Sequence, residues 1–227
     1  FPWLARWGVE IAKRRRIARQ YDKPRHYDYD IVVIGAGSAG LVASYIGAAV
    51  KARVALVERD KMGGDCLNTG CVPSKALIRS ARLAQEMREA KRFGLTVAEP
   101  EVDFPAVMGH VHRAIEEVEP HDSPERYRGL GVEVIHGDAW LQTPWEVRVG
   151  ERVLTTRHVI VATGARPRVP ELPGLEDSDV LTSDNLWQLK ALPERLVVLG
   201  GGPIGCELGQ SFARLGSRVT LVEMGAQ

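Results

Sequence analysis

Cysteine is scarce in this chain. Cys66, Cys71 and Cys206 are the only three among 227 residues, far below the density of a secreted scaffold held together by disulfides. A chain of this length can bury its own core without them. The net charge is close to balanced at +1, and no nucleic-acid partner is expected. No apolar run is long enough for a membrane span, and signal-peptide and low-complexity tracts are missing as well. Histidine does not supply a metal site. His110 and His112 stand two apart on a predicted helix and point to different faces, so they read as surface residues. A structural zinc needs four Cys or His ligands in paired clusters, whereas Cys206 stands alone in "GPIGCELG". It reads as a small buried packing residue, and no metal is expected.

Two of the cysteines lie five positions apart in "GGDCLNTGCVPSK", residues 63–75. The pair could form a structural disulfide, contribute half of a zinc site, or open and close as a redox dithiol. Zinc is disfavoured as above. A structural bridge would close a loop so short that it removes little entropy from the unfolded chain. The spacing alone does not separate that reading from a redox dithiol.

The surrounding sequence is more specific. From Tyr27 to Asp60 an apolar strand, a glycine turn, a helical stretch and a second apolar strand follow one another. The turn is G-x-G-x-x-G. Gly35 permits the tight bend, Gly37 lets a pyrophosphate approach the backbone, and Gly40 lets the helix pack on the strand. The helix start offers unpaired N–H groups and a positive dipole end. Glu58 ends the second strand, 23 residues after Gly35, where a carboxylate can accept hydrogen bonds from ribose hydroxyls.

The pattern returns at residues 195–225 with Gly200, Gly202 and Gly205, and Glu223 is again 23 positions after the first glycine. Two copies at one spacing imply two dinucleotide sites. An acid at the second favours NAD over NADP, whose 2′-phosphate it would repel. The fold class predicted is α/β: a Rossmann-like dinucleotide-binding domain followed by the start of a second Rossmann-like dinucleotide-binding domain. Between the copies, "VIVATG" reads as a strand ending in a turn, and helices are predicted from the dithiol to Gly94 and over residues 104–119. Strands are predicted on either side of a turn at Gly150. The division expected is a basic arm over 1–26, a first dinucleotide-binding domain with the dithiol over 27–165, a Pro- and Asp-rich linker over 166–193, and the beginning of the second dinucleotide-binding domain over 194–227.

The ordered set "GAGSAG", "GGDCLNTGCVPSKAL", "VIVATGARP" and "GGGPIGCEL" resembles the class I pyridine nucleotide-disulfide oxidoreductases, and among them the dihydrolipoyl dehydrogenase and mercuric reductase branch. The resemblance implies FAD and NAD(P)H as cofactors, making the first unit (27–165) a Rossmann-like FAD-binding domain, or flavin domain, and the second (194–227) the start of a Rossmann-like NAD(P)-binding domain, or nicotinamide domain. It places Gly35, Gly37, Ser38 and Gly40 at the FAD pyrophosphate, Glu58 at the ribose, and Gly64, Ala139, Thr163 and Gly164 at further cofactor contacts. Gly200, Gly202, Gly205 and Glu223 fall at the nicotinamide dinucleotide. Cys66 would be the interchange thiol that meets substrate and Cys71 the thiol against the flavin. Lys75 would lie near the flavin and form a buried pair with Glu207. The function implied is NAD(P)H-linked electron transfer through FAD and the Cys66/Cys71 disulfide to a small disulfide, dithiol or metal-ion substrate, in a homodimer. The alternatives are a non-catalytic FAD-binding module and a membrane-associated electron-transfer flavoprotein.

Asp65 stands where the family usually has Thr, and Pro203 replaces a residue that gates the nicotinamide pocket in some relatives. The family's completed nicotinamide domain and its interface domain, with a His-Glu acid-base pair, do not follow Glu223, so a fragment incapable of normal turnover is expected. The first 25 residues carry eight Lys and Arg against Glu10 and Asp22, with Trp3, Leu4, Trp7 and Ile11 at helical spacing. Such an arm is compatible with association at the cytoplasmic face of a membrane, the alternative being a helix on the enzyme's own surface. Thiols without scaffold disulfides otherwise fit the cytoplasm.

Overall fold

The computed structural model describes residues 16, 19–96, 99–175 and 178–225. The expected helix of the 1–26 arm, with its tryptophans, lies outside the described residues. Among the described residues no helix is long and apolar enough to cross a membrane. In chain order the elements are β1 (Tyr29–Ile34), α1 (Ser38–Ala49), β2 (Val54–Glu58), α2 (Gly64–Asn68), α3 (Cys71–Glu89), α4 (Phe104–Val118) and α5 (Pro124–Gly129). Then come β3 (Val132–His136), β4 (Ala139–Thr143), β5 (Glu146–Val149), β6 (Arg152–Val161), β7 (Arg195–Leu199), α6 (Pro203–Leu215) and β8 (Arg218–Val222). They form two compact units, 1–64 with 121–164 and 65–120 with 165–227.

The first unit is a six-stranded sheet in the order β3-β2-β1-β6-β5-β4. The first four strands run parallel, while β5 and β4 fold back antiparallel from β6. A parallel sheet needs both faces covered, and β1 meets this with successive valines. Val32 points into a cluster with Ala55, Val57, Val147 and Leu154. Val33 points the other way, into one with Leu41, Val54, Leu56, Tyr127 and Val132. Each such side chain contributes about 1.5–3 kcal/mol of hydrophobic stabilisation. Gly150 takes a left-handed φ of +58° and turns β5 into β6 where a turn was predicted.

The second unit holds the parallel pair β7-β8 with α6 between them in sequence. Its core joins Leu77 and Ala81 of α3, Phe104, Met108 and Val111 of α4, Phe212 and Leu215 of α6, and Leu186 and Trp187. Helix α4 starts at Asp103, whose carboxylate accepts the Ala106 N–H at 3.0 Å. The helix predicted to end near Gly94 stays α-helical to Glu89, tightens to a 3-10 turn over Ala90–Phe93, and stops at Gly94 in a left-handed conformation.

This division differs from the one read off the sequence. Helices α3 and α4, expected within the flavin domain, share a core with α6 because their apolar faces meet Phe212 and Leu215. The last part of the expected linker also enters that core, through Leu186 and Trp187.

Candidate active site

At the first glycine turn Gly35 adopts φ +99°, and a Cβ added there would stand 2.3 Å from the Ala162 carbonyl oxygen and 3.2 Å from the Thr163 Cα. A Cβ on Gly40 would lie 1.8 Å from the Gly35 carbonyl oxygen. Gly37 is the N-cap of α1, no side chain caps that helix, and Ser38 is exposed in its first turn. Gly64, at φ +54°, brings its backbone against Gly37, whose Cα an added Cβ would meet at 2.6 Å. Gly164 is also left-handed, at φ +69°. The turn is therefore lined by backbone, and the N–H groups at the start of α1 have no competing side-chain acceptor.

Glu58 does more than the sequence suggested. Its carboxylate accepts N–H groups from Ala36 at 2.6 Å and from Arg59 and Asp60 at 2.9 Å each, so it braces the glycine turn. With about four lone-pair sites a carboxylate still has capacity for one ribose hydroxyl. The Glu58 carbonyl takes the Gly137 N–H at 2.8 Å, which sets the chain leading into Ala139 beside the end of β2.

The second turn repeats the wiring in the second unit. Gly200 has φ +107°, a Cβ on Gly205 would stand 2.1 Å from the Gly200 carbonyl oxygen, and Gly202 caps α6 with no side-chain cap. Glu223 accepts N–H groups from Gly225 at 2.8 Å and Gly201 at 2.5 Å. These bonds hold its carboxyl below the usual glutamate range. Cys206 corrects the sequence reading: it is exposed, and its thiol donates to the Gly201 carbonyl at 3.2 Å.

Cys66 in α2 and Cys71 at the start of α3 are free thiols. The neighbouring Cys66 thiol, together with local desolvation, pushes the Cys71 thiol up from its ordinary value. Lys75, one helical turn after Cys71, places its Nζ 2.6 Å from Glu207 Oε2 of α6. The sequence reading expected a buried pair. The side chains are 60% and 46% exposed, because the faces of α3 and α6 that bear them lie outside the unit's core.

Trp187 was missed. Its indole N–H is shared between the Thr69 carbonyl at 2.9 Å and the Ser183 carbonyl at 2.8 Å. The apolar "LW" inside a polar linker was the available signal. His112 and His110 are exposed, but the His112 Nε2 lies 3.0 Å from the Trp187 carbonyl, so that nitrogen carries the proton. Among the described residues no group of three or more His, Cys, Asp or Glu could hold a metal ion.

The family described as pyridine nucleotide-disulphide oxidoreductase matches residues 29–227. A mercuric reductase of Bacillus cereus is 34% identical over 215 residues, 95% of this chain and 34% of the relative. A dihydrolipoyl dehydrogenase of Chlamydia pneumoniae is 36% identical over 86% of this chain and 43% of its own length. The Cu(II) complex of the HOCl-induced flavoprotein disulfide reductase RclA from Escherichia coli superposes with a TM-score of 0.73 at 29% identity, covering 87% of this chain and 42% of that one. The chain thus spans less than half the length of these relatives. With its two glycine turns and its pair of thiols, it belongs to the pyridine nucleotide-disulphide oxidoreductase family, which uses FAD and NAD(P)H.

Proposed function

We propose that this chain carries the dithiol and the dinucleotide-binding turns of an NAD(P)H-linked disulfide oxidoreductase of dihydrolipoyl dehydrogenase or mercuric reductase type. The observation that carries the reading is the pair of free thiols, Cys66 in α2 and Cys71 at the start of α3, with the Lys75–Glu207 pair one turn further along α3. Cys66 is the attacking thiol: its thiolate forms a mixed disulfide with the substrate and releases the first substrate thiol. Cys71 then attacks the Cys66 sulfur, releases the second thiol and leaves a Cys66–Cys71 disulfide. The Lys75 ammonium offers a positive charge one turn from the exposed Cys71.

The first glycine turn suits the FAD pyrophosphate, given its uncapped helix start and the glycine backbones of Gly37 and Gly64 in contact. Glu58 would take the ribose, with Ser38, Gly40, Ala139, Thr163 and Gly164 at the remaining contacts. FAD, when bound, would supply the exchange of electron pairs between nicotinamide and the dithiol. Glu223 at the second turn favours NAD. The substrate class is a small disulfide, dithiol or metal ion, and the working assembly a homodimer.

Anaerobic reductive titration of the flavin-loaded protein tests the reading. Uptake of two electron pairs is expected, falling to one in Cys71→Ser. A wild-type protein that takes up only one pair has no redox dithiol, and the proposal fails.

A further inference from the structure

Four residues separate Cys66 from Cys71, and the start of α3 that follows them has no side-chain cap. The Thr69 N–H donates to the Asp65 carbonyl at 2.9 Å, a bond within the loop's own turn. The Thr69 carbonyl instead takes its partner from a residue 118 positions away, the indole N–H of Trp187. Gly70 follows, and its backbone passes so close to Asp65 that an added Cβ would meet that carbonyl oxygen at 2.8 Å. The peptide joining Thr69 to Gly70 is thus held between the loop's own turn and the indole.

Trp187 is a fixed post for such a tie. It is 5% exposed and shares a core with Leu77, Ala81, Met108 and Phe212, so its ring cannot shift without opening that core. Its backbone is held as well, by the His112 Nε2–H on its carbonyl. An exposed Cys71 and a partly exposed Cys66 are therefore anchored through an interior residue.

We propose that Trp187 is a positioning residue for the dithiol: its N–H on the Thr69 carbonyl keeps the loop that carries Cys66 and Cys71 in its folded geometry. The inference rests on the redox reading given above. A loop held in one geometry leaves its two thiols fewer arrangements to search, so the tie raises the effective concentration of each thiol at the other and favours the disulfide. Against oxidised dithiothreitol, the two thiols give up two electrons and two protons, the Cys66–Cys71 bond forms, and the reagent's own disulfide opens to its dithiol.

The test equilibrates the full chain in dithiothreitol redox buffers, alkylates the free thiols and digests with trypsin. Cleavage after Lys61 and Lys75 gives a peptide, residues 62–75, that holds both cysteines and excludes Cys206. Trp187→Phe keeps an aromatic ring in the core and removes only the donor. The equilibrium constant for the disulfide is expected to fall roughly three- to tenfold, as one net hydrogen bond allows, and tenfold corresponds to about 30 mV. His112→Ala, at an exposed position, is expected to shift it in the same direction by about twofold. A lowered melting temperature with an unchanged constant in Trp187→Phe would mean a purely structural tryptophan, and the inference falls alone. If Trp187→Phe does not fold, His112→Ala decides: a lowered constant supports the tie and an unchanged one removes it. A wild-type chain that forms no Cys66–Cys71 disulfide at any poise overturns the redox reading together with this one.

Discussion

At the first glycine turn the Gly35 N–H reaches the Val57 carbonyl, the Ala36 N–H reaches Glu58, and the Leu41 N–H closes the helix on Gly37. At the second, Gly200 reaches Val222, Gly201 reaches Glu223, and Cys206 reaches Gly202. In these three bonds the two turns are the same. Their walls are not. Val32 and Val33 of β1 are wholly buried, whereas Val197 and Leu199 of β7 are 63% and 52% exposed. Gly35 abuts the end of β6, while nothing lies within 4 Å of a Cβ on Gly200. The hydrogen-bond pattern of such a turn is therefore set locally, by glycine spacing and one acid, and its energetic weight is set by what surrounds it.

The sharpest way to break this comparison is to add one methyl group to each turn. Gly35→Ala and Gly200→Ala both force an L-residue into positive φ, at a cost of about 1–3 kcal/mol. Only the first also drives a Cβ into the Ala162 carbonyl oxygen. Gly35→Ala is expected to lose about 4 kcal/mol or more in all, through strain plus overpacking, and Gly200→Ala only the strain. Hydrogen exchange resolved to β1 and β7 reads each turn separately. Equal losses would mean that the walls do not matter.

A second pair of substitutions sharpens the same point on the helices. Leu41 and Cys206 occupy matching places, six residues after the first glycine of each turn. Leu41 is buried in a cluster with Tyr127 and Val132, so Leu41→Ala is expected to cost about 3 kcal/mol. Cys206 is exposed, and Cys206→Ala is expected to change stability by less than about 0.5 kcal/mol. Urea midpoints of the two variants compare them directly.

These contrasts also mark what could be read from the sequence. Both turns, their acids and most helix and strand positions were legible, because glycine spacing and apolar periodicity act over a few neighbouring residues. The Lys75–Glu207 pair joins residues 132 positions apart, and only the family resemblance brought them together. Its exposure, like that of Cys206, could not be read at all, since an apolar helix start says nothing of whether another element covers it. Leu41 is covered from α5 and β3, whereas the described sheet around Cys206 has only two strands. Trp187 was lost for the opposite reason. A polar, proline-rich stretch reads as a connection, yet a single aromatic in it reaches the dithiol loop.

The smallest expected difference lies in the two acids. Glu58 takes three backbone N–H groups in a partly buried setting, and Glu58→Gln, which loses an acceptor oxygen, is expected to cost about 1–2 kcal/mol at neutral pH. Glu223 takes its bonds in full contact with solvent, so its contribution shows mainly as a dependence on pH. Backbone bonds from Gly225 and Gly201 lower its folded-state value below that of the unfolded chain. Its stabilisation is therefore fully present above the ordinary carboxylate range and is lost as pH falls through the lowered value. Unfolding midpoints measured from about pH 7 to about pH 3 should fall less steeply on the acid side in Glu223→Gln than in the wild type. An acid limb unchanged by this substitution would mean that Glu223 does not hold the second turn as Glu58 holds the first.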